Sequence, residues 1–190
     1  KAGDEERLLI WSNAPEEQAI LDGTSLQGLL PVTDSERTSF GVYLNDATGS
    51  KMDYYMKVGT GVQWCTAPGG PAEAVLDVSL KNDAPADAAS LPPSITGGGG
   101  FGTEAGLTRT TGYLYLPEGA SVLSSENSDG SGFQTGTDQG RTVLIWSSLL
   151  APGQEASASI RVRTPWTPEL SAQVTPVLPG TNSELVASCG

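Results

Sequence analysis

The chain has no histidine among its 190 residues, two cysteines, two methionines and only 10 Lys and Arg against 22 Asp and Glu. Each shortage removes a class of function. Without histidine there is no Ser-His-Asp or Cys-His machinery, and the commonest metal ligand is missing. Two cysteines, Cys65 and Cys189, form no C-x-x-C pair and have no histidine to join them, so a zinc site is not expected. A net charge of −12 with no run of Lys or Arg repels phosphate backbones and anionic bilayers, which argues against nucleic acid and membrane-surface partners. No stretch approaches the roughly 18 to 20 apolar residues of a membrane span, so this segment is not expected to insert directly. The opening "KAGDEER" is too charged for a signal peptide. Any leader or anchor is expected upstream of Lys1 or beyond Gly190.

What is present is punctuation. Twenty-four Gly and 13 Pro, with 37% apolar and 17% charged residues, suit many short strands joined by tight turns better than a helical bundle. The first 35 residues differ from the rest. Arg7 to Ser12 reads as a strand, and Ser12 or Asn13 can cap a short helix opening on Pro15, Glu16 and Glu17 and stopping at Gly23. Ala19, Ile20 and Leu21 are its expected apolar contacts. Thr24 or Ser25 can cap one more turn through Leu29. This strand and helix, residues 1–35, are too poor in apolar residues to fold alone, and are expected to pack on the body or on a further domain.

From about Phe40 the period becomes two. "SFGVYLND", "KMDYYMKV", "AEAVLDVSLKND", "TRTTGYLYLPEGA", "SVLSSENSDGSGFQTGTDQG", "RTVLIWSSL", "EASASIRVRTP" and "ELSAQVTPVL" give seven to nine strands about ten residues apart. Residues 36–190 are therefore expected to form an all-β domain. Its architecture is a two-sheet antiparallel β-sandwich, immunoglobulin-like or a related Greek key, although the Cys…Trp…Cys signature is absent. Asp129-Gly130 reads as a hairpin turn. The echo of "RLLIWS" in "RTVLIWSS" has no wider period and is no repeat. One long irregular stretch, from about Asn82 to Gly106, includes four glycines at 97–100, and such loops often carry function. A disulfide between Cys65 and Cys189 closes a loop of about 120 residues, worth roughly 3 to 5 kcal/mol if unstrained.

Motifs for chemistry are sparse. "TGSK" at Thr48 to Lys51 fails as a P-loop, because a serine separates Gly49 from Lys51 and a strand follows. "ENSDGSG" resembles part of a calcium loop but lacks the closing acid, and reads better as a turn. No metal ligand set and no cofactor are expected. Trp146 belongs to the core, whereas Phe101 and Trp166 are loop-borne aromatics. The densest polar stretch is Tyr43 to Val58. Two strands around "NDATGS" make it a hairpin, with Lys51 and Asp53 on one face, Met52 and Tyr54 on the other, and a Lys51–Asp46 or Lys51–Asp53 pair.

"LLIWSNAPEEQAIL", "GVYLNDATGSKMDYYM" and "GR…VLIWSSLLAPGQ" together resemble the C-terminal part of actinobacterial membrane-anchored envelope proteins built around domain of unknown function 4012. The most specific piece is Tyr43 to Met56, which is similar to that family's signature at Asn45, Asp46, Thr48, Gly49, Lys51, Asp53 and Tyr55. The resemblance implies a membrane anchor upstream and a place outside the cell or in its envelope, and it supplies no enzymatic activity to carry over.

Two functional expectations follow. One is a non-catalytic extracellular module with a structural, binding or adhesion role, meeting a cell-wall polymer or another envelope protein through Asn45, Asp46, Thr48, Lys51, Asp53, Tyr55 and Phe101. The other is a carboxylate enzyme acting on cell-wall glycan or phosphate polymers, marked by a cleft holding two acids about 5 to 9.5 Å apart.

Overall fold

A computed structural model describes residues 8–65, 71–175 and 182–189. Two five-stranded sheets pack face to face. Their strands are β1 (Arg37–Asp46), β2 (Met56–Trp64), β3 (Glu73–Asn82), β4 (Thr108–Tyr115), β5 (Ser121–Asn127), β6 (Gln134–Asp138), β7 (Arg141–Leu150), β8 (Glu155–Arg163), β9 (Glu169–Thr175) and β10 (Asn182–Glu184). One sheet runs β6-β7-β4-β1-β9 and the other β10-β2-β3-β8-β5, so the all-β sandwich expectation holds.

The core follows from alternation. Phe40 and Val42 of β1, Leu114 of β4, and Leu144 and Trp146 of β7 point inward from one sheet. Val58 of β2, Leu76, Val78 and Leu80 of β3, and Ile160 and Val162 of β8 meet them from the other. Each such side chain contributes about 1.5–3 kcal/mol by leaving water.

The pairing departs from the sequence reading in three ways. The interior pairs are antiparallel, but β9 joins β1 in parallel (Arg37↔Glu169) and β10 joins β2 in parallel (Asn182↔Val58). Pairing at the sheet edge is set by distant segments, which local alternation does not encode. Second, "SVLSSENSDGSGFQTGTD" is not a hairpin. The turn at Asp129-Gly130 forms, with Gly130 at φ 69°, but β5 pairs with β8 in one sheet and β6 with β7 in the other. The tight hairpin lies one step on, at Gln139-Gly140, where both residues have positive φ (48° and 77°), as a two-residue β-turn of the primed kind requires. Third, β1 and β2 belong to different sheets, so residues 47–55 connect the sheets and are no hairpin turn.

The opening segment also differs from expectation. Residues 8–12 form no strand; Ile10 donates one backbone bond to the Leu26 carbonyl (2.9 Å). The helix does start at Pro15 (α1, Pro15–Gln18) and runs into a 3-10 turn, Ala19–Leu21, but neither buries a residue. Ser12 acts at its entry without being the cap, accepting from Ala14 N–H (3.2 Å) and donating to Glu17 (2.6 Å). One hydrogen-bonded turn starts at Thr24, Gln27 N–H donating to the Thr24 carbonyl (3.3 Å), but it ends before Leu29 and forms no helix. Downstream, Pro31 is buried against the outer face of β1 beside Gly41. Asp34 then turns the chain into β1 by accepting the N–H groups of Glu36 and Arg37 (2.8 and 2.9 Å), which hold its carboxyl below the usual range. Among the described residues no helix is long and apolar enough to cross a membrane.

Candidate functional site

Residues 47–55 cross from β1 to β2 at one end of the sandwich. Asp46 Oδ1 accepts the Thr48 N–H (2.8 Å), an Asx turn that bends the chain out of β1. Thr48 is buried, and its hydroxyl donates to the Arg109 carbonyl (3.2 Å) while accepting the Arg109 N–H (2.8 Å). Gly49 takes φ 69°. Ser50 Oγ accepts the Met52 N–H (3.1 Å), and Lys51 N–H donates to the Ile95 carbonyl (2.8 Å).

A 3-10 turn, Met52–Tyr55, stands where a strand was expected. The change of period decides which residues face inward. A strand would place Met52 with Tyr54; a 3-10 turn stacks i on i+3, and so places Met52 with Tyr55. Met52 is fully buried in a small second core with Ala84 and Ala88, against which Tyr55, Leu91 and Ile95 pack. Tyr54 and Asp53 are left outside.

The partner of this crossover is the irregular stretch 83–107. Asn82, fully buried at its start, donates to the carbonyls of Gly106 (3.3 Å) and Leu150 (3.0 Å) and accepts the Ala84 N–H (3.1 Å). A short helix, α2 (Pro93–Thr96), ends on Gly97 in the left-handed conformation. A side chain at Gly97 would press on the Gly49 carbonyl (3.1 Å) and on Ser50, so glycine here lets the two segments close. Phe101 lies against Gly49, where an added Cβ would be 2.5 Å from the ring. Arg109 reaches back to Thr103 Oγ1 (3.2 Å) and to the Gly102 carbonyl (3.5 Å).

The expected site residues therefore divide. Thr48 and Tyr55 serve as anchors. Asn45, Asp46, Lys51, Asp53 and Phe101 are exposed, Phe101 at 72%. No ion pair between described residues joins Lys51 to Asp46 or Asp53; those formed are Arg37–Glu169, Lys81–Glu155, and Arg161 and Arg163 with Glu73. The Asp53 carboxyl is pushed above the ordinary range, first by desolvation and then by the charge of Asp46. Tyr54, at 74% exposed, was missed, because alternation put it on the same face as Met52, opposite Lys51 and Asp53. Asn82 was missed too: an Asn-Asp pair at a strand end reads as a solvated turn.

At the opposite end, Cys65 and Cys189 are joined, their Cα atoms 5.4 Å apart. The chain before Cys189 crosses the outer face of the second sheet. Leu185 N–H donates to the Thr60 carbonyl (2.8 Å), Ser188 N–H to Asp77 (2.9 Å), and Arg161 to the Cys189 carbonyl (2.8 Å). Two cavities bounded by described residues lie away from residues 45–55. One, about 470 Å³, sits between β2, β9 and β10, with Glu184 as its carboxylate; the other, about 160 Å³, lies beside Arg161 and Glu126. The calcium-like run closes on itself, Asn127 bonding Gly132 and Ser131, and Asp129 accepting the Ser131 N–H. Among the described residues no cluster of three or more Cys, Asp or Glu could hold a metal ion.

No family model and no curated protein matches the chain. Among solved structures, one described as a nutrient binding protein from Legionella pneumophila is similar at 9% identity and TM-score 0.29, covering 68% of this chain and 44% of its own. A likeness of that size carries no argument about fold or function.

Proposed function

We propose that this chain is a non-catalytic extracellular module of a cell envelope, which meets a wall polymer or another envelope protein through the sandwich end carrying residues 45–55 and 97–103. One observation carries the reading. In residues 45–55 the groups needed for packing, Thr48 and Met52, are buried, while Asn45, Asp46, Lys51, Asp53 and Tyr54 face solvent, and no ion pair between described residues accounts for the charges. The disulfide supports an oxidising compartment, and the resemblance of Tyr43 to Met56 to an envelope-protein signature supports the location and an upstream anchor. The net charge of −12 disfavours nucleic acid.

The carboxylate-enzyme reading keeps one supporting observation, the proximity of Asp46 to Asp53 and the raised proton affinity of the latter. Against it, Asp46 is already engaged as the acceptor for Thr48, and neither of the two cavities described above is lined by Asp46 or Asp53.

Retention of the purified chain on isolated actinobacterial envelope material tests the proposal. Lys51→Ala and Phe101→Ala are expected to weaken retention while leaving the fold intact. Equal retention of parent and variants contradicts this surface.

A further inference from the structure

Two exposed aromatic rings on the crossover end are each held from behind. Tyr54 meets Tyr55 edge-on, with ring centroids 5.3 Å apart at 87°, and Tyr55 itself packs on the Met52 core. Phe101 rests on the backbone of Gly49, which has no Cβ to lift it away. An exposed aromatic ordinarily loses rotamer freedom on binding. Rings steadied by such contacts have already lost part of it while most of their surface stays open to a ligand, Tyr54 at 74% and Phe101 at 72% exposed. Tyr54 adjoins Asp53 in the 3-10 turn, Phe101 lies on Gly49 two residues before Lys51, and Asp46, Lys51 and Asp53 are exposed in the same crossover.

The charge of this end narrows the ligand. Around this end Asp46, Asp53, Asp83, Asp87, Glu104 and Glu155 outnumber Lys51, Lys57, Lys81 and Arg109, with Lys81 paired to Glu155 and Arg109 engaged with Thr103 and Gly102. A phosphate-bearing polymer would meet net repulsion. Apolar faces flanked by carboxylate acceptors instead suit a ligand with flat C–H surfaces and many hydroxyl donors.

We propose that Tyr54 and Phe101 form a stacking platform for an uncharged β-linked hexopyranose chain, with Asp46 and Asp53 accepting from its hydroxyls. This rests on the reading of this end as a binding surface, and names its ligand. Equatorially substituted pyranose rings expose axial C–H groups that lie on an aromatic face, while their edges donate hydrogen bonds to carboxylates.

The test is amide-resolved NMR titration of the folded chain with cellohexaose, N-acetylglucosamine hexamer and, as a polyanion, polyphosphate. The oligosaccharides are expected to shift amides within 49–55 and 97–103. Tyr54→Ala and Phe101→Ala should each weaken binding about tenfold, and Tyr54→Phe, which keeps the ring, less than about threefold. Silence with both oligosaccharides, undiminished binding in both alanine variants, or binding of polyphosphate alone each overturns the proposal. Retention on envelope material separates the two levels. If it depends on Tyr54 and Phe101 while both oligosaccharides are silent, the partner is a protein or a wall polymer of other chemistry and only the glycan assignment falls. If it is unchanged in both variants, the surface itself is wrong.

Discussion

Thr48 and Arg109 exchange two hydrogen bonds through one hydroxyl: Thr48 Oγ1 donates to the Arg109 carbonyl at 3.2 Å and accepts the Arg109 N–H at 2.8 Å. The Ala47 N–H adds a third link to the same carbonyl (2.9 Å). Thr48 thus extends the β1–β4 ladder by side chain after the backbone has turned away. Thr48→Val keeps the shape but leaves buried groups unpaired, and should cost about 1–3 kcal/mol. Thr48→Ser keeps both bonds and loses one methyl, about 0.8 kcal/mol. Denaturant unfolding of the two variants checks the order.

Gly61 is the place where the C-terminal stretch approaches the second sheet most closely. A Cβ there would collide with the Leu185 carbonyl, and one at Gly59 would meet the Leu185 side chain at 2.9 Å. Gly61→Ala should displace residues 183–189 and destabilise by about 1–3 kcal/mol. It should also slow formation of the Cys65–Cys189 bond, read by thiol titration during refolding.

Replacing both Cys65 and Cys189 by serine removes a cross-link over a sequence separation of 124. The expected loss is about 3–5 kcal/mol in the chain-entropy model. It is read as a lower denaturant midpoint with an unchanged sandwich spectrum.

Asp53 gives a pH dependence whose sign is set by its raised proton affinity in the fold. The folded state binds this proton more tightly than the unfolded state does, so the group's stabilising contribution is fully present below its ordinary unfolded pKa. That contribution is lost as pH rises through the higher folded value. Asp53→Asn should therefore be more stable than the parent at neutral pH. The difference should shrink on acidification to about pH 3, below the ordinary aspartate range, as thermal melts at the two pH values would show.

Alternation made much of the fold legible. Leu76, Val78 and Leu80 of β3 sit in the core as period two requires, and Trp146 is buried within β7. Two cysteines allow one intramolecular pairing, and it forms. Illegible parts were those fixed by distant contacts. Nothing near Glu169 or Asn182 says that β9 and β10 add in parallel. In the candidate site, Asn45, Asp46 and Gly49 announced a turn, and a turn is there. Its neighbours in space, Ile95, Phe101 and Arg109, are about 40 to 60 residues away, and Met52–Tyr55 is a 3-10 turn and not a strand, its Met52 packing with Ala84, Ala88 and Ile95, also distant in sequence. That change of period hid Tyr54, since the side facing water depends on the period assumed.

On the proposed reading Thr48 and Met52 hold the crossover, while the Lys51 and Asp53 side chains join no ion pair between described residues and are available to a partner. The thermal unfolding of Met52→Ala beside a Lys51→Ala/Asp53→Ala double variant tests it most directly. Met52→Ala should lose about 2–5 kcal/mol from the small core, or roughly 4–20 °C for a chain of this size. The double variant should unfold within about 2 °C of the parent, or above it, as surface charges without ion pairs contribute little. A double variant that falls as far as Met52→Ala would make the charged pair structural and contradict the account.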